Sequence, residues 1–221
     1  MRQIPLAIGP APLATFDSFH VGDNADVVAH LQSLSAPAYL WGPSGAGKTH
    51  LLGALVHAHQ RRGGRAGWFD PATPLHWAFD EAWSLLVLDA VEGFDAAQQR
   101  AAFALFIEAQ THGVPVAAAG RLPPVDLPLR EDLRTRLGWG TVFAVAPLAE
   151  SESRAVLRRE ADRRGIFLSD DVMDYLLTRF SRDLKHLMGL LDRLDRFALA
   201  EQRAVTVPLL RRMFELEGTE L

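Results

Sequence analysis

The stretch "LWGPSGAGKTHLL", residues 40–52, decides the fold of this 221-residue chain. An apolar run precedes it, and the amphipathic pattern "KTHLLGALVHAHQRR" follows it, so the glycines fall between a predicted buried strand and a predicted helix. The spacing matches G-x-x-x-x-G-K-[ST], a loop whose backbone N–H groups surround phosphate oxygens. A chance match in a glycine-containing turn is disfavoured by the strand and helix on either side. The sequence therefore predicts an α/β domain that binds a nucleotide at this turn.

The residues of this loop have separable predicted roles. The glycines let the backbone curl inward, and the helix N-terminus adds partial positive charge. Lys48 is a compact cation for the terminal phosphates, and Thr49 offers a hydroxyl to Mg²⁺. Only two of the 23 basic residues are lysines, so a lysine at this position stands out. The predicted nucleotide-binding residues of the loop are Gly42, Pro43, Ser44, Gly45, Ala46, Gly47, Lys48 and Thr49.

Short apolar runs and helical patterns alternate through the first two thirds of the chain. Such alternation predicts a parallel sheet with helices on both faces. After residue 148 four helical patterns follow, with no strand-like run between them. The five predicted strands are 38–42, 66–70, 85–89, 114–120 and 141–145. The predicted divisions are an extended arm (1–14), a nucleotide-binding domain (15–148) and a helical domain (149–221).

A second acidic position follows in "SLLVLDAVEGF", residues 84–94. Asp89 ends a strand that we expect beside the loop strand, where it would hold Mg²⁺ directly or through water. The alternative is a turn-forming aspartate. A nucleotide-hydrolysing ATPase often has a second acid next in sequence, but here the next residue is Ala90. Glu92 is the remaining candidate base, so we expect weak intrinsic hydrolysis or none.

Composition narrows the possible partners and compartment. A net charge of −4 argues against bulk electrostatic binding of DNA or RNA, so little direct DNA binding is expected. The chain contains no cysteine, which excludes disulfides and thiolate metal sites and suits a reducing cytoplasm. No apolar run approaches the roughly 20 residues that span a bilayer, so no membrane association is expected. The eight histidines have no metal-site spacing.

Four stretches resemble the AAA+ replication initiator DnaA. They are "TFDSFHVGDNADVVAHL" (15–31), the phosphate loop, "LRTRLGWGTVFAVAPL" (133–148) and "SRDLKHLMGLLDRL" (181–194). The resemblance extends over residues 15–217 and implies a P-loop AAA+ αβα sandwich followed by an all-helical lid. The short arm, "RLGWG" and the single-acid "LDA" resemble the Hda family of DnaA-related regulators, so we expect no helix-turn-helix domain.

The resemblance implies a regulator of replication initiation. Hda-like proteins bind ADP, dock on the DNA-loaded sliding clamp (the β subunit of DNA polymerase III) and stimulate hydrolysis of DnaA-bound ATP. The implied cofactors are ADP or ATP with Mg²⁺, and the implied partners are DnaA and the clamp, with a homo-oligomer left open. The alternative is a self-contained AAA+ ATPase acting on nucleic acid, such as a helicase loader, because "GKT" is intact.

The resemblance also assigns roles to two arginines. Arg136 matches the arginine finger, which acts on a nucleotide held by a neighbouring subunit. Arg130 and Arg134 lie close by and remain alternatives. Arg182, in "SRDL", matches the second sensor of the lid, which reaches back to the bound phosphates. The first sensor is left unassigned, because Gly120 stands where the family often has an acid and an extra residue follows Arg121.

Two further sets of residues follow from the resemblance. Phe19, Val21 and Gly22 precede the first helix, where AAA+ proteins commonly contact adenine. The arm sequence "QIPLAI", residues 3–8, resembles the clamp-binding pattern Q-[LI]-x-L-x-[LI]. An arm packed on its own domain is the alternative. The implied clamp-binding residues are Gln3, Ile4, Leu6 and Ile8.

Overall fold

A parallel β-sheet forms the centre of the first unit of the protein. The computed structural model describes residues 14–179 and 184–217. Within them the sheet has five strands in the order β2-β3-β4-β1-β5, which confirms the predicted five-stranded parallel sheet. The strands are β1 (Ala38–Trp41), β2 (Ala66–Phe69), β3 (Leu85–Leu88), β4 (Val116–Gly120) and β5 (Thr141–Ala144).

Helices cover both faces of this sheet. They are α1 (Ala25–Gln32), α2 (Lys48–Arg61), α3 (Ala96–Thr111) and α4 (Glu131–Leu137), with short 3₁₀ turns at Val91–Gly93 and Pro124–Asp126. Successive residues of β3 point to opposite faces, so Leu86 and Leu88 pack in one buried cluster and Leu85 and Val87 in another. The first unit is therefore the predicted αβα sandwich.

The expected position of β3 beside the loop strand is wrong. β4 lies between β3 and β1 and pairs with both. The chain leaves β1 through α2 and enters β2, which is an outermost strand of the sheet. β4 then lies between β1 and β3. Asp89 nevertheless reaches the phosphate loop, because α2 packs across β4 and β3.

The register makes the strand ends level and defines two edges of the sheet. Ala38 pairs with Thr141 at one end, and Trp41 pairs with Gly120 and Ala144 at the other. We call the first the amino edge and the second the carboxyl edge. A strand of four residues spans about 13 Å, so the two edges are well separated.

The second unit begins at Leu148. It contains α5 (Glu150–Arg163), α6 (Asp170–Arg179), α7 (Leu184–Glu201) and α8 (Val207–Glu217). Fully buried side chains from all four helices, including Leu157, Leu176, Leu191 and Met213, form one apolar core, so this unit is the predicted helical lid. No helix among the described residues is long and apolar enough to cross a membrane.

Candidate functional site

The phosphate loop follows β1 at the carboxyl edge and has a backbone that only glycine fits at two positions. Gly42 has a φ of 151°, and a Cβ there would lie 2.5 Å from the Val145 carbonyl oxygen. Gly47 has a φ of 93°, and a Cβ there would lie 2.7 Å from the Phe19 ring. The motif glycines are therefore required by close approach as well as by backbone conformation.

Lys48 lies at the start of α2, half-buried against its own loop. Its Nζ donates hydrogen bonds to the carbonyl oxygens of Gly42, at 2.7 Å, and Pro43, at 2.8 Å. These contacts hold the ammonium group within the loop that the motif assigns to phosphate. An ammonium group is a compact cation, which suits it to contact phosphate oxygens at this place.

Thr49, in the first turn of α2, contacts Asp89, which directly follows β3. The Thr49 hydroxyl donates to Asp89 Oδ2 at 2.8 Å, and the Ala90 N–H donates to Asp89 Oδ1 at 2.9 Å. Asp89 is only 7% exposed. Burial raises the pKa of its carboxyl group, and the hydrogen bond from Thr49 lowers it part of the way back.

These two oxygen donors fit a Mg²⁺ ion that is also held by nucleotide phosphates. Mg²⁺ takes few protein ligands and usually keeps waters and phosphate oxygens. Within residues 14–179 and 184–217 there is no group of three or more histidine, aspartate or glutamate side chains that could hold a metal by themselves. Any ion here would therefore depend on the nucleotide for most of its ligands.

The residues after Asp89 differ from a hydrolytic arrangement. Ala90 has a φ of 51°, in the left-handed region, and carries no acid. Glu92 is engaged elsewhere: its carboxylate accepts from the Arg121 N–H at 3.3 Å and forms an ion pair with Arg121 Nε at 3.3 Å. The hypothesis that Glu92 acts as a substitute base stays a prediction, and this ion pair gives the side chain a structural contact.

The segment before α1 packs against the loop. The Phe19 ring contacts Gly47 and lies 5.7 Å from the His50 ring, Val21 packs on the core beside α1 and α2, and Gly22 is exposed. His50 Nε2 lies 3.0 Å from the Thr15 carbonyl oxygen. The predicted adenine-contacting segment is therefore fixed beside the first turn of α2.

Sequence reasoning missed Asn24, which fastens this segment to the end of β5. Its side chain is buried and donates to the Ala146 carbonyl at 3.0 Å, while it accepts from the Ala146 N–H at 2.8 Å. An asparagine directly before a helix suggests a helix cap, but this side chain makes no cap hydrogen bond. No local signal identifies a partner 122 residues away.

Arg136 lies on α4, away from the phosphate loop. The chain leaves α4 and enters β5 at Thr141, whose N–H donates to the Pro37 carbonyl at the amino edge. Arg136 Nη1 donates to Gln110 Oε1 at 3.1 Å, and its guanidinium carbon lies 3.6 Å from the centre of the Trp139 ring. Arg136 and the loop of the same chain are therefore at opposite edges of the sheet.

The three neighbouring arginines have different surroundings. Arg130 forms a two-point ion pair with Asp132, at 3.2 and 2.6 Å, and this pairing lowers the pKa of the Asp132 carboxyl group. Arg134 is half-buried, and its side chain makes no hydrogen bond or ion pair within the described part of the chain. The Arg136 guanidinium contacts the Trp139 ring on one face and donates to Gln110 along one edge. An arginine groove of about 680 Å³ contains Arg130, Asp132 and Arg136 in its lining.

Five predicted site residues lie outside the described residues. They are the lid arginine Arg182 and the clamp-binding residues Gln3, Ile4, Leu6 and Ile8. Their assigned roles stay predictions from the sequence.

Solved structures of DnaA and RuvB share this fold. Domain III of DnaA from Thermotoga maritima covers 93% of this chain and 97% of its own, with a TM-score of 0.76 and 18% identity. AMPPCP-bound DnaA from Aquifex aeolicus covers 94% of this chain and 70% of its own, with a TM-score of 0.70 and 21% identity. The Holliday junction branch migration motor RuvB from Thermotoga maritima also matches, with a TM-score of 0.64, 15% identity and coverage of 92% and 72%. The fold is that of an AAA+ protein.

The family comparison is more specific and concerns the second unit. Residues 150–214 match the model of the Hda lid domain. Together with the DnaA-like fold, this match confirms the resemblance to the Hda family of DnaA-related proteins that was inferred from the sequence.

Proposed function

We propose that this chain is a nucleotide-bound inactivator of the replication initiator. It binds ADP, or ATP, with Mg²⁺ at the phosphate loop, docks on the sliding clamp and inserts Arg136 beside ATP bound to DnaA. The arginine offsets charge that develops in the transition state of phosphoryl transfer. Hydrolysis converts the initiator to its ADP form, and this chain thereby acts as a negative regulator in the cytoplasm.

The observation that carries the proposal is the separation of Arg136 from the phosphate loop of its own chain. An arginine at the amino edge cannot reach a phosphate at the carboxyl edge of the same sheet, so any nucleotide phosphate that it contacts belongs to another molecule. Arg136 also lines an open groove in which Arg130 is neutralised by Asp132. Arg136 is therefore better disposed than Arg130 to meet an anionic partner group.

The nucleotide of this chain has a structural role in this account. Lys48, Thr49 and Asp89 provide a cation, a hydroxyl and a carboxylate for a bound nucleotide and Mg²⁺. Ala90 supplies no base, and Glu92 is paired with Arg121. AMPPCP-bound DnaA shares the fold, which supports nucleotide binding here. We expect bound ADP to stabilise the protein without turnover, since a ligand that binds only the folded state stabilises it.

Phosphate release from DnaA preloaded with ATP, measured with clamp loaded on DNA, tests the finger. Native protein should accelerate release, and Arg136→Ala should reduce the stimulated rate by about 100-fold or more, since arginine fingers are worth about 10³- to 10⁵-fold in other systems. Arg134→Ala is the matched control and should remain near native. If Arg134→Ala loses stimulation and Arg136→Ala keeps it, Arg134 is the finger; if both keep it, the finger hypothesis fails.

Clamp docking is tested at the arm. Replacing Gln3 and Leu6 with alanine should eliminate binding to immobilised clamp and leave ADP affinity unchanged, because the motif lies outside the phosphate loop in sequence. Equal clamp affinity of native and variant proteins would contradict the assignment of the arm.

An intact phosphate loop also supports the competing function of a self-contained ATPase, since Lys48 is held within the loop and Thr49 contacts Asp89 beside it. Turnover by the purified chain separates the two functions. The regulator should be nearly inert without its partners, whereas a helicase-loader ATPase should hydrolyse ATP alone or with single-stranded DNA.

A further inference from the structure

The side chain of Trp139 is exposed and covers one face of the Arg136 guanidinium. Trp139 is 57% exposed. A tryptophan this exposed adds little to the stability of the fold. Its ring centre lies 3.6 Å from the guanidinium carbon, within the range of a strong cation–π contact. Stacking on a flat ring restricts the rotation of a long and flexible side chain. The indole therefore reduces the number of orientations open to this arginine.

The backbone on both sides of Trp139 is fixed by short contacts. The Trp139 N–H donates to the Arg136 carbonyl at 3.1 Å, which closes the last turn of α4. On the other side, a Cβ on Gly140 would lie 1.7 Å from the Pro37 carbonyl oxygen. The chain can pass Pro37 this closely only because residue 140 has no side chain. The indole is therefore carried on a segment held by α4 at one end and by the amino edge of the sheet at the other.

The remaining contact of Arg136 leaves donors available. A guanidinium group has five N–H donors in a planar fork, and Gln110 Oε1 accepts from Nη1. Trp139 contacts the face of the group and not its edge, so it consumes no donor. Asp132 is already paired with Arg130 and does not draw Arg136 away. The result is a cation fixed in orientation with most of its hydrogen-bonding capacity unused.

We propose that Trp139 is a positioning residue for Arg136, with Gln110 as a second support. The ring holds the guanidinium in one orientation before the partner's nucleotide arrives, so less rotamer freedom is lost when the arginine contacts a nucleoside triphosphate. The inference rests on the proposed function, because it needs Arg136 to act on a nucleotide held by another subunit.

The test uses stimulated phosphate release from DnaA·ATP, measured over a range of concentrations of this chain to separate the maximal rate from the half-saturating concentration. Trp139→Ala should lower the maximal rate by about fivefold and leave the half-saturating concentration unchanged, since one cation–π contact is lost. Trp139→Phe keeps a ring face and should recover most of the rate. In an Arg136→Ala background, Trp139→Ala should cause no further loss.

Each result supports or overturns the inference. A higher half-saturating concentration with an unchanged maximal rate would make Trp139 a docking residue and overturn it. Native behaviour of Trp139→Ala, together with loss of activity in Arg136→Ala, would overturn the positioning role and leave the finger intact. Full activity of Arg136→Ala would overturn both this inference and the proposed function. The melting temperature and ADP affinity of Trp139→Ala should match the native values, which excludes misfolding as the cause of a lower rate.

Discussion

The carboxyl and amino edges of the sheet carry functional groups of opposite character. At the carboxyl edge, Lys48 donates to carbonyls of its own loop and Thr49 donates to a buried aspartate. At the amino edge, Arg136 lies in an open groove beside an exposed tryptophan. The first set of groups is hydrogen-bonded within the chain around a buried aspartate, and the second keeps unused donors beside an exposed ring.

Under the proposed function, this difference separates a site that retains a nucleotide from a group that acts on the nucleotide of another molecule. A site that retains a nucleotide needs hydrogen-bond donors for the phosphate oxygens and a ligand for the metal ion, and the carboxyl edge has both. A site that promotes hydrolysis in a neighbour needs one oriented positive charge, which the amino edge has. Under the proposed function, each edge supplies half of a hydrolytic site, and the two halves act on different nucleotides.

The largest expected effect is loss of nucleotide binding at the carboxyl edge. Lys48→Ala should weaken ADP binding by about 100-fold, because it removes charge-assisted hydrogen bonds to phosphate. Arg61→Ala, on the same helix and with the same change of charge, is the control and should bind normally. Isothermal titration calorimetry gives both affinities. An unchanged ADP affinity in the Lys48 variant would exclude the loop as the nucleotide site.

A smaller effect is expected on stability at the amino edge. Gly140→Ala forces a Cβ against the Pro37 carbonyl oxygen and should lower the free energy of unfolding by about 2 kcal/mol. In Gly138→Ala the new Cβ would be 3.6 Å from its nearest neighbours, so the change should stay within about 0.5 kcal/mol. Chemical denaturation measures both values. Equal losses in the two variants would contradict the contact with Pro37 as the support of the groove.

The smallest effect concerns the buried charge of Asp89. Its raised pKa means that the folded state binds the proton more tightly than the unfolded state, so the ionised group opposes folding at neutral pH. In Asp89→Asn, Oδ1 can still accept from the Ala90 N–H, and Nδ2 can donate to the Thr49 hydroxyl oxygen, which reverses that hydrogen bond. The variant should stabilise the ligand-free protein by about 0.5 kcal/mol. Mg²⁺-dependent nucleotide binding should weaken several-fold in the same variant.

The stability gain of Asp89→Asn should depend on pH in a defined direction. It should be present at neutral pH and disappear as the pH falls through the raised pKa, because native Asp89 is then protonated and uncharged. Asp162→Asn, at an exposed position of α5, is the control. Thermal melts over a pH series measure the effect, and a gain that grew on acidification would contradict the burial of a charged carboxylate.

The strands and the phosphate loop could be predicted, because each depends on a short stretch of sequence. The five strands read as continuous apolar runs, and the phosphate loop has a fixed spacing of glycines and lysine. Such runs match the burial of β3 and β4, whereas β5 at the end of the sheet is mostly exposed. The order of the strands could not be predicted from the same runs. The sequences of the strands do not indicate the crossover that places β4 between β3 and β1. The predicted neighbour of β3, the strand before Asp89, was therefore wrong.

Two long-range contacts also could not be predicted from local sequence patterns. The Asn24 side chain bonds to Ala146, and Arg136 is held by Gln110, which is 26 residues away. The helix that carries Arg136 is seven residues long, too short for a clear periodic pattern. Such contacts exist only after the chain has folded, so the sequence predicts the chemistry of the residues and not how they are held.

The ADP affinity of Arg136→Ala, measured by calorimetry beside stimulated phosphate release on the same preparation, tests the central claim that the two edges serve two different nucleotides. Because Arg136 and the phosphate loop lie at opposite edges, the affinity should stay within about twofold of native while stimulation is lost. A tenfold or greater loss of ADP affinity in this variant would mean that Arg136 acts on the nucleotide of its own chain and would contradict the account.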